Sequence, residues 1–163
     1  MSYNSKNDTF KHIKTVQRYL KRVCAYLTQL AELHDSSKLR NPEKEIFDIF
    51  TPLLKKTTYG SKTYKHYLKE MKVALDHHYE NNMHHPEYFK KKGIKGMDLL
   101  NLMEMLCDWK AATLRHADGD IMKSLEINQK RFGYSNELKQ IFKNTIELLH
   151  MFDENWKEDE NVL

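Results

Sequence analysis

The spacing of apolar residues constrains the fold of this chain more than any other feature. Between residues 9 and 33 they recur every three or four positions, which places them on one face of an α-helix: Ile13, Val16, Leu20, Val23, Leu27 and Leu30. The alternation typical of β-strands is nearly absent, and the chain contains only five glycines and three prolines. We therefore predict an all-α fold, a helical bundle with about six to seven helices.

Polar residues and prolines mark the expected ends of these helices. The pair Asn41-Pro42 predicts a cap and first turn for a helix that ends before the segment TTYGS. The spacing also predicts a helix from about Asp120 to Phe132. Three further residues are predicted N-caps. Ser61 is expected to cap a long helix that runs through His78, Asp98 a helix that contains Trp109, and Ser135 the last helix.

Length and composition predict one globular domain. The chain has 163 residues, of which 40% are hydrophobic and 31% charged. We expect a single domain over residues 1–152 and a frayed acidic tail over 153–163. The absence of a membrane-spanning apolar run and of a signal-peptide pattern predicts a cytoplasmic protein, of a bacterium or a phage-infected cell. Cys24 and Cys107 fall within helical apolar patterns and are predicted to be reduced core thiols.

The formal net charge of +4 is unevenly distributed. Acidic residues concentrate after residue 152, whereas lysines concentrate in LLKKTTYGSKTYKHYLK and FKKKGIKG. These lysines are interpreted either as a solvated face or as an electrostatic funnel for a phosphorylated ligand. Neither aromatic interleaving nor a motif predicts binding to nucleic acid.

The nine histidines suggest a metal site through their placement. His12 is in phase with Val16 and is expected near the buried face of the first helix. Any single histidine on an apolar face is interpreted as a hydrogen-bonded core residue. Imidazole and carboxylate groups from separate helices nevertheless form a ligand set for a borderline divalent metal, and these groups are His34, Asp35, His77, His78, His84, His85 and Asp108.

The order of these residues resembles the HD-domain metal-dependent phosphohydrolase superfamily. The segment HDSSK resembles the His-Asp-x-x-Lys form of HD-GYP phosphodiesterases and HD-fold oxygenases. The segment HHYENNMHHPEYF, together with MEMLCDWKAA, is similar to a branch of HD-like proteins found in bacteria and their phages. The resemblance covers roughly residues 9 to 118.

The resemblance implies a role for each residue. One divalent transition metal (Mn, Fe, Co, Ni or Zn) is expected, with a second ion as an alternative. Relatives with two metals supply a further histidine from a separate element, and the only candidate here, His66, lies on the same predicted helix as His77. Glu104, one turn before Asp108, is expected to orient a ligand. The expected metal ligands are His12, His34, Asp35 and Asp108, with His77 and His78 for a second metal or the substrate. The expected catalytic groups are Lys38, His78, His84 and His85, and the expected substrate contacts are Lys38, His84, His85 and Arg115.

The resemblance therefore implies a metal-dependent phosphohydrolase acting on a small phosphate ester, above all a nucleotide. Two alternatives remain from the sequence: an HD-fold di-iron oxygenase, and a non-catalytic HD-like module that binds a nucleotide or a protein. A membrane partner is not expected, and the choice between monomer and homodimer stays open.

Overall fold

The computed structural model describes residues 3–58, 61–114 and 119–155, and every regular element in these ranges is helical. This confirms the predicted all-α class. The chain forms two compact units, Met1–Asn82 and Met83–Leu163. Among the described helices, none combines the length and the apolar character needed to cross a bilayer.

The first unit contains four α-helices and one 3-10 helix, η1. They are α1 (Lys6–Leu33), η1 (Ser36–Leu39), α2 (Glu43–Leu54), α3 (Lys62–Glu70) and α4 (Lys72–Asn81). Helix α2 packs against α4 and η1, and α3 packs against α4. Ser61 caps α3 as predicted, because its hydroxyl accepts a hydrogen bond from the Tyr64 amide at 3.1 Å. The long helix expected from Ser61 is divided, since the backbone of Met71 leaves the helical region between α3 and α4.

Helix α1 differs from its prediction in burial. None of its residues is buried, and most of its apolar side chains are exposed. His12 is exposed, so the expectation that it approaches a buried face is wrong. The thiols of Cys24 on α1 and Cys107 in the second unit are both free, as predicted, but exposed rather than in a core. Helical periodicity shows which residues share a face, and it does not show whether that face is covered.

The second unit consists of a kinked 3-10 segment and three α-helices. They are η2 (Pro86–Gly96), α5 (Leu99–Thr113), α6 (Ile121–Phe132) and α7 (Asn136–Asn155). The side chain of Asp98 accepts hydrogen bonds from the first amides of α5, that of Asp120 does so for α6, and Ser135 does so for α7. The predicted caps at Asp98 and Ser135 are therefore confirmed. Helix α7 includes the first residues of the predicted frayed tail, and residues 156–163 lie outside the described ranges.

The apolar core of the second unit joins α5, α6 and α7. Trp109 stacks on Phe132 with ring centroids 6.1 Å apart. The buried members of this core are Met105, Leu106, Ile121, Leu125, Tyr134, Phe142 and Ile146. Burying side chains of this size stabilises a helical unit by about 1.5–3 kcal/mol each.

We predict that the free energy of unfolding of the Tyr134→Phe variant falls less steeply at alkaline pH than that of the wild-type protein. Burial, with a smaller contribution from Glu126, raises the pKa of Tyr134 to about 12, and its hydroxyl donates to the Leu125 carbonyl at 2.6 Å. An unfolded tyrosine ionises near pH 10, so the folded state favours the protonated form. This stabilisation is complete below about pH 10 and is lost as the pH rises through about 12.

Urea unfolding of both proteins from about pH 8 to pH 12 measures the effect. The free energy of unfolding should fall more steeply with pH in the wild-type protein than in the variant. Identical pH dependences would contradict the prediction.

Candidate metal centre

The chain reverses direction at His34 and Asp35, between α1 and η1. His34 ends α1, and Asp35 precedes η1 with a left-handed backbone (φ 55°, ψ 12°). Only glycine adopts this region freely, although aspartate and asparagine tolerate it better than other residues. Non-glycine residues in this conformation are strained and concentrate at functional sites. The sharp turn brings the Asp35 carboxylate close to the side chains of both His34 and Lys38.

The Asp35 carboxylate is surrounded by positive and polar groups. Lys38 Nζ lies 2.5 Å from Asp35 Oδ2, and His34 Nε2 lies 3.5 Å from the same oxygen. Burial opposes ionisation of Asp35, but the charge and hydrogen bond of Lys38, with smaller contributions from the two nearby histidines, lower its pKa below the ordinary value. Asp35 is therefore an anion at neutral pH and a suitable ligand for a cation.

Glu43, at the start of α2, is the buried anchor of this cluster. Glu43 is 0% exposed, and its carboxyl oxygens accept three hydrogen bonds from neighbouring side chains. The donors are His77 Nδ1 at 2.7 Å, His78 Nδ1 at 2.9 Å and Ser37 Oγ at 3.1 Å. A buried carboxylate needs such partners because desolvation of an unpaired charge costs several kcal/mol. The sequence does not mark Glu43 as part of the site, since a glutamate in the first turn of a helix is usually a surface residue.

Two contacts of His78 Nδ1 bear on which nitrogen of the ring carries the proton. The carboxylate of Glu43 only accepts, so it favours the tautomer with the proton on Nδ1, whereas Asn82 Nδ2, a donor 3.0 Å from the same nitrogen, favours the other. The second ring nitrogen, Nε2, lies 3.3 Å from Asp35 Oδ1. Burial, followed by the charge of Lys38, lowers the pKa of His78 despite the two carboxylates beside it. With the proton on Nδ1, the electron pair of His78 Nε2 faces the charged carboxylate of Asp35.

Such an arrangement fits a bound cation. Nitrogen and oxygen ligands lie about 2.0–2.2 Å from a zinc-like ion, and two of them in a tetrahedral shell are then about 3.4 Å apart. Nε2 of His78 lies 3.3 Å from Oδ1 of Asp35, which matches this separation, whereas the 3.5 Å distance of His34 Nε2 is to Oδ2, the oxygen that Lys38 contacts. A carboxylate that holds the other nitrogen of a metal-binding histidine, as Glu43 holds His78, is the usual support of such a ligand.

The second unit contains a similar carboxylate–histidine pair. His84 is 1% exposed, and its Nδ1 lies 3.0 Å from Glu104 Oε1 on α5. The ring of His85 lies 4.1 Å from that of His84. Asp108 is half-buried on α5, one helical turn after Glu104. Glu104 thus contacts the imidazole of His84, and its role of orienting a metal ligand stays a prediction.

The predicted site residues do not all lie together. His12 and His34 are 22 positions apart on the same helix, which separates them by about 33 Å along its axis. The two histidines of one chain therefore cannot bind the same ion, which corrects the ligand set expected from the resemblance. His66 is exposed on α3, and Arg115, expected to contact substrate, lies outside the described residues.

We expect Lys38→Met to raise the pKa of His78 in metal-free protein. Lys38 opposes protonation of His78 through its charge, and methionine retains much of the side-chain length without that charge. Titration of the imidazole signals by NMR, in the presence of a chelator, measures the change. Lys44→Met is the matched control, since Lys44 pairs with Asp48 on the exposed surface of α2. An unchanged pKa of His78 in Lys38→Met would contradict the expected electrostatic contact.

Comparison with known proteins gives one family and no nearer relative. No curated protein and no solved structure matches the chain. A family model described as "Family of unknown function (DUF5662)" matches residues 1–152, almost the whole chain. The protein therefore belongs to the DUF5662 family.

Proposed function

We propose that the protein is a metal-dependent phosphohydrolase that acts on a small phosphate ester, with a nucleotide as the first choice of substrate. The observation that carries this proposal is the facing pair of His78 Nε2 and Asp35 Oδ1, held by the buried Glu43. The reaction class comes from the resemblance to HD-domain proteins at HDSSK and HHYENNMHHPEYF.

Asp35 and His78 are the proposed ligands that the contacts support, and His34 is added from the resemblance, its Nε2 lying 3.5 Å from the other carboxylate oxygen of Asp35. Two imidazoles and one carboxylate suit Mn, Fe, Co, Ni and Zn, and leave positions for water and substrate. His78, expected from the sequence at a second metal or at the substrate, is assigned to the first ion because it lies beside Asp35. The resemblance adds Asp108 to the set, and this addition rests on the sequence alone.

The side chains around the ion have separate tasks in this proposal. A bound divalent ion lowers the pKa of a water molecule and polarises a phosphoryl oxygen. Glu43 keeps the proton of His78 on Nδ1, so that Nε2 stays available to the ion. Lys38, whose ammonium also lies 5.7 Å from the centre of the Phe47 ring, places a positive charge beside Asp35 that can neutralise a substrate phosphate.

Three further residues remain proposed substrate contacts from the sequence. His84 and His85 follow His78 by six and seven positions, and they are proposed to bind the phosphate or to protonate the leaving oxygen. Arg115 is proposed to bind a phosphate or a base. These assignments depend on the resemblance, whereas those of Asp35, His78 and Glu43 are also supported by contacts.

We predict near-stoichiometric metal in the purified protein and its loss in three variants: His34→Ala, Asp35→Asn and His78→Gln. Asparagine at position 35 tolerates the left-handed backbone and removes only the charge, so a folding defect is not expected. Elemental analysis measures the metal, and circular dichroism confirms the helices. His66→Ala, at an exposed histidine of α3, is the control and should retain the metal.

Release of phosphate from a panel of nucleotides should be lost in the same three variants and in Asp108→Asn. The proposal fails if the wild-type protein stays metal-free after incubation with each of the five metals, or if Asp35→Asn hydrolyses nucleotides as fast as wild type. Two irons per chain with oxygen consumption would instead support the oxygenase alternative. Nucleotide binding without turnover would support the binding module.

We predict that Glu43→Gln weakens metal binding by about 10–100-fold while the ligands stay in place. Glutamine preserves the shape of the side chain, but it removes the charge that favours the required tautomer of His78. Competition with a fluorescent chelator measures the affinity. Glu45→Gln is the matched control, because Glu45 lies two positions later on α2 and contacts the Asn41 side chain at the surface. Equal affinities of the Glu43→Gln variant and wild type would exclude this role for Glu43.

A further inference from the structure

The exposed apolar stripe of α1 carries an inference about assembly. Its apolar residues follow alternating steps of three and four: Ile13, Val16, Leu20, Val23, Leu27 and Leu30. This is the seven-residue repeat by which two helices pack along their length. None of these residues is buried, and only Leu27 and Leu30 are half-buried. A long apolar stripe in this state marks an interaction surface.

The apolar area of the stripe and of the residues beside it matches what a stable dimer requires. Eight large side chains on α1, four in the stripe and four beside it, each expose between 37% and 62% of their surface: Ile13, Val16, Leu20 and Val23, then Phe10, Tyr19, Tyr26 and Leu33. With on the order of 200 Å² for each fully exposed side chain, these eight side chains offer roughly 800 Å². A standard protein interface buries about the same area on each partner.

The polar residues of α1 leave this stripe free of charge. The positions beside the two apolar rows hold uncharged residues, such as Gln17, Cys24 and Ala31. The cations of the helix's middle stretch all lie on the opposite face: Lys11, Lys14, Arg18, Lys21 and Arg22. Two such helices can therefore pack their apolar rows together without burying a charge.

We propose that α1 pairs with α1 of a second copy of this chain in an antiparallel dimer. When the two-fold axis lies between Leu20 and Val23, each residue of one apolar row faces the other row, and Ile13 faces Leu30. Charge distribution favours this orientation over the parallel one. Every lysine and arginine of α1 lies at or before Arg22, so an antiparallel pair distributes these cations over both ends of the dimer, whereas a parallel pair gathers them at one end.

This register also determines which residues of the second copy lie near His12. It brings His12 of one copy to the level of Ala31 on the other, one helical turn from His34. Within a single chain the same two histidines are about 33 Å apart.

The test is sedimentation velocity of the full chain over a range of concentrations, without metal, so that its outcome is separate from that of the metal proposal. Wild type should be a dimer, and Leu20→Lys should raise the dissociation constant at least about 100-fold, because it places unpaired ammonium groups in the seam. Val73→Lys is the control, since Val73 is 63% exposed on α4, outside the stripe. It should remain dimeric.

Disulfide trapping tests the orientation. In a Cys24→Ser, Cys107→Ser background, the double variant Ile13→Cys, Leu30→Cys should form a covalent dimer on mild oxidation, and Ile13→Cys alone should not. Cross-linking by Ile13→Cys alone would show a parallel pair and overturn the proposed orientation. A wild-type protein that is monomeric at all concentrations would overturn the dimer. If that monomer bound vesicles of phosphatidylserine and phosphatidylcholine, and Leu20→Lys did not, the stripe would be a membrane surface instead.

Discussion

The burial of one carboxylate, that of Glu43, determines the arrangement of the proposed metal centre. An ion removed from water must be compensated, and here the compensation comes from Ser37 and from both histidines of α4. Those hydrogen bonds tie η1, α2 and α4 together. The contact of Glu43 with His78 Nδ1 also orients the imidazole ring, so that its second nitrogen, Nε2, faces Asp35. Packing and chemistry in the first unit therefore depend on the same three hydrogen bonds.

The two units are stabilised in different ways. The second unit has a continuous apolar core around Leu125 and Ile146, in which Tyr134 and Trp109 pack among aliphatic side chains. Among the described residues of the first unit, the buried apolar ones are Met71 and Ala74, and they accompany Glu43 and His78. A buried polar cluster whose groups are hydrogen-bonded orients its side chains narrowly, and in the first unit this cluster joins η1, α2 and α4.

The sequence predicted best what depends on short-range chemistry. The caps at Ser61, Asp98 and Ser135 follow from hydrogen bonds between a side chain and amides two or three residues away, and these three are confirmed. The cap predicted at Asn41 is wrong, because α2 begins after Pro42 and no side chain there makes a capping bond. The division at Met71 and the role of Glu43 depend on contacts between distant residues. No local signal distinguishes Glu43, with its buried carboxyl group, from Glu45, two positions later, whose carboxylate is exposed. The pairing of His34 with Asp35 was apparent from the sequence, but the left-handed backbone that presents it was not.

Helix α1 shows the same limit at a larger scale. An apolar stripe predicts that a helix has a partner, and it contains no information on whether that partner belongs to the same chain. The exposure of the stripe favours a partner from outside, and the confinement of its cations to one half favours an antiparallel copy. The same reasoning bears on His12. Its order in the sequence suggested a ligand, whereas a rigid helix of 28 residues separates it from His34. Sequence order alone cannot distinguish a residue that contributes to its own site from one that contributes to the site of a neighbouring copy.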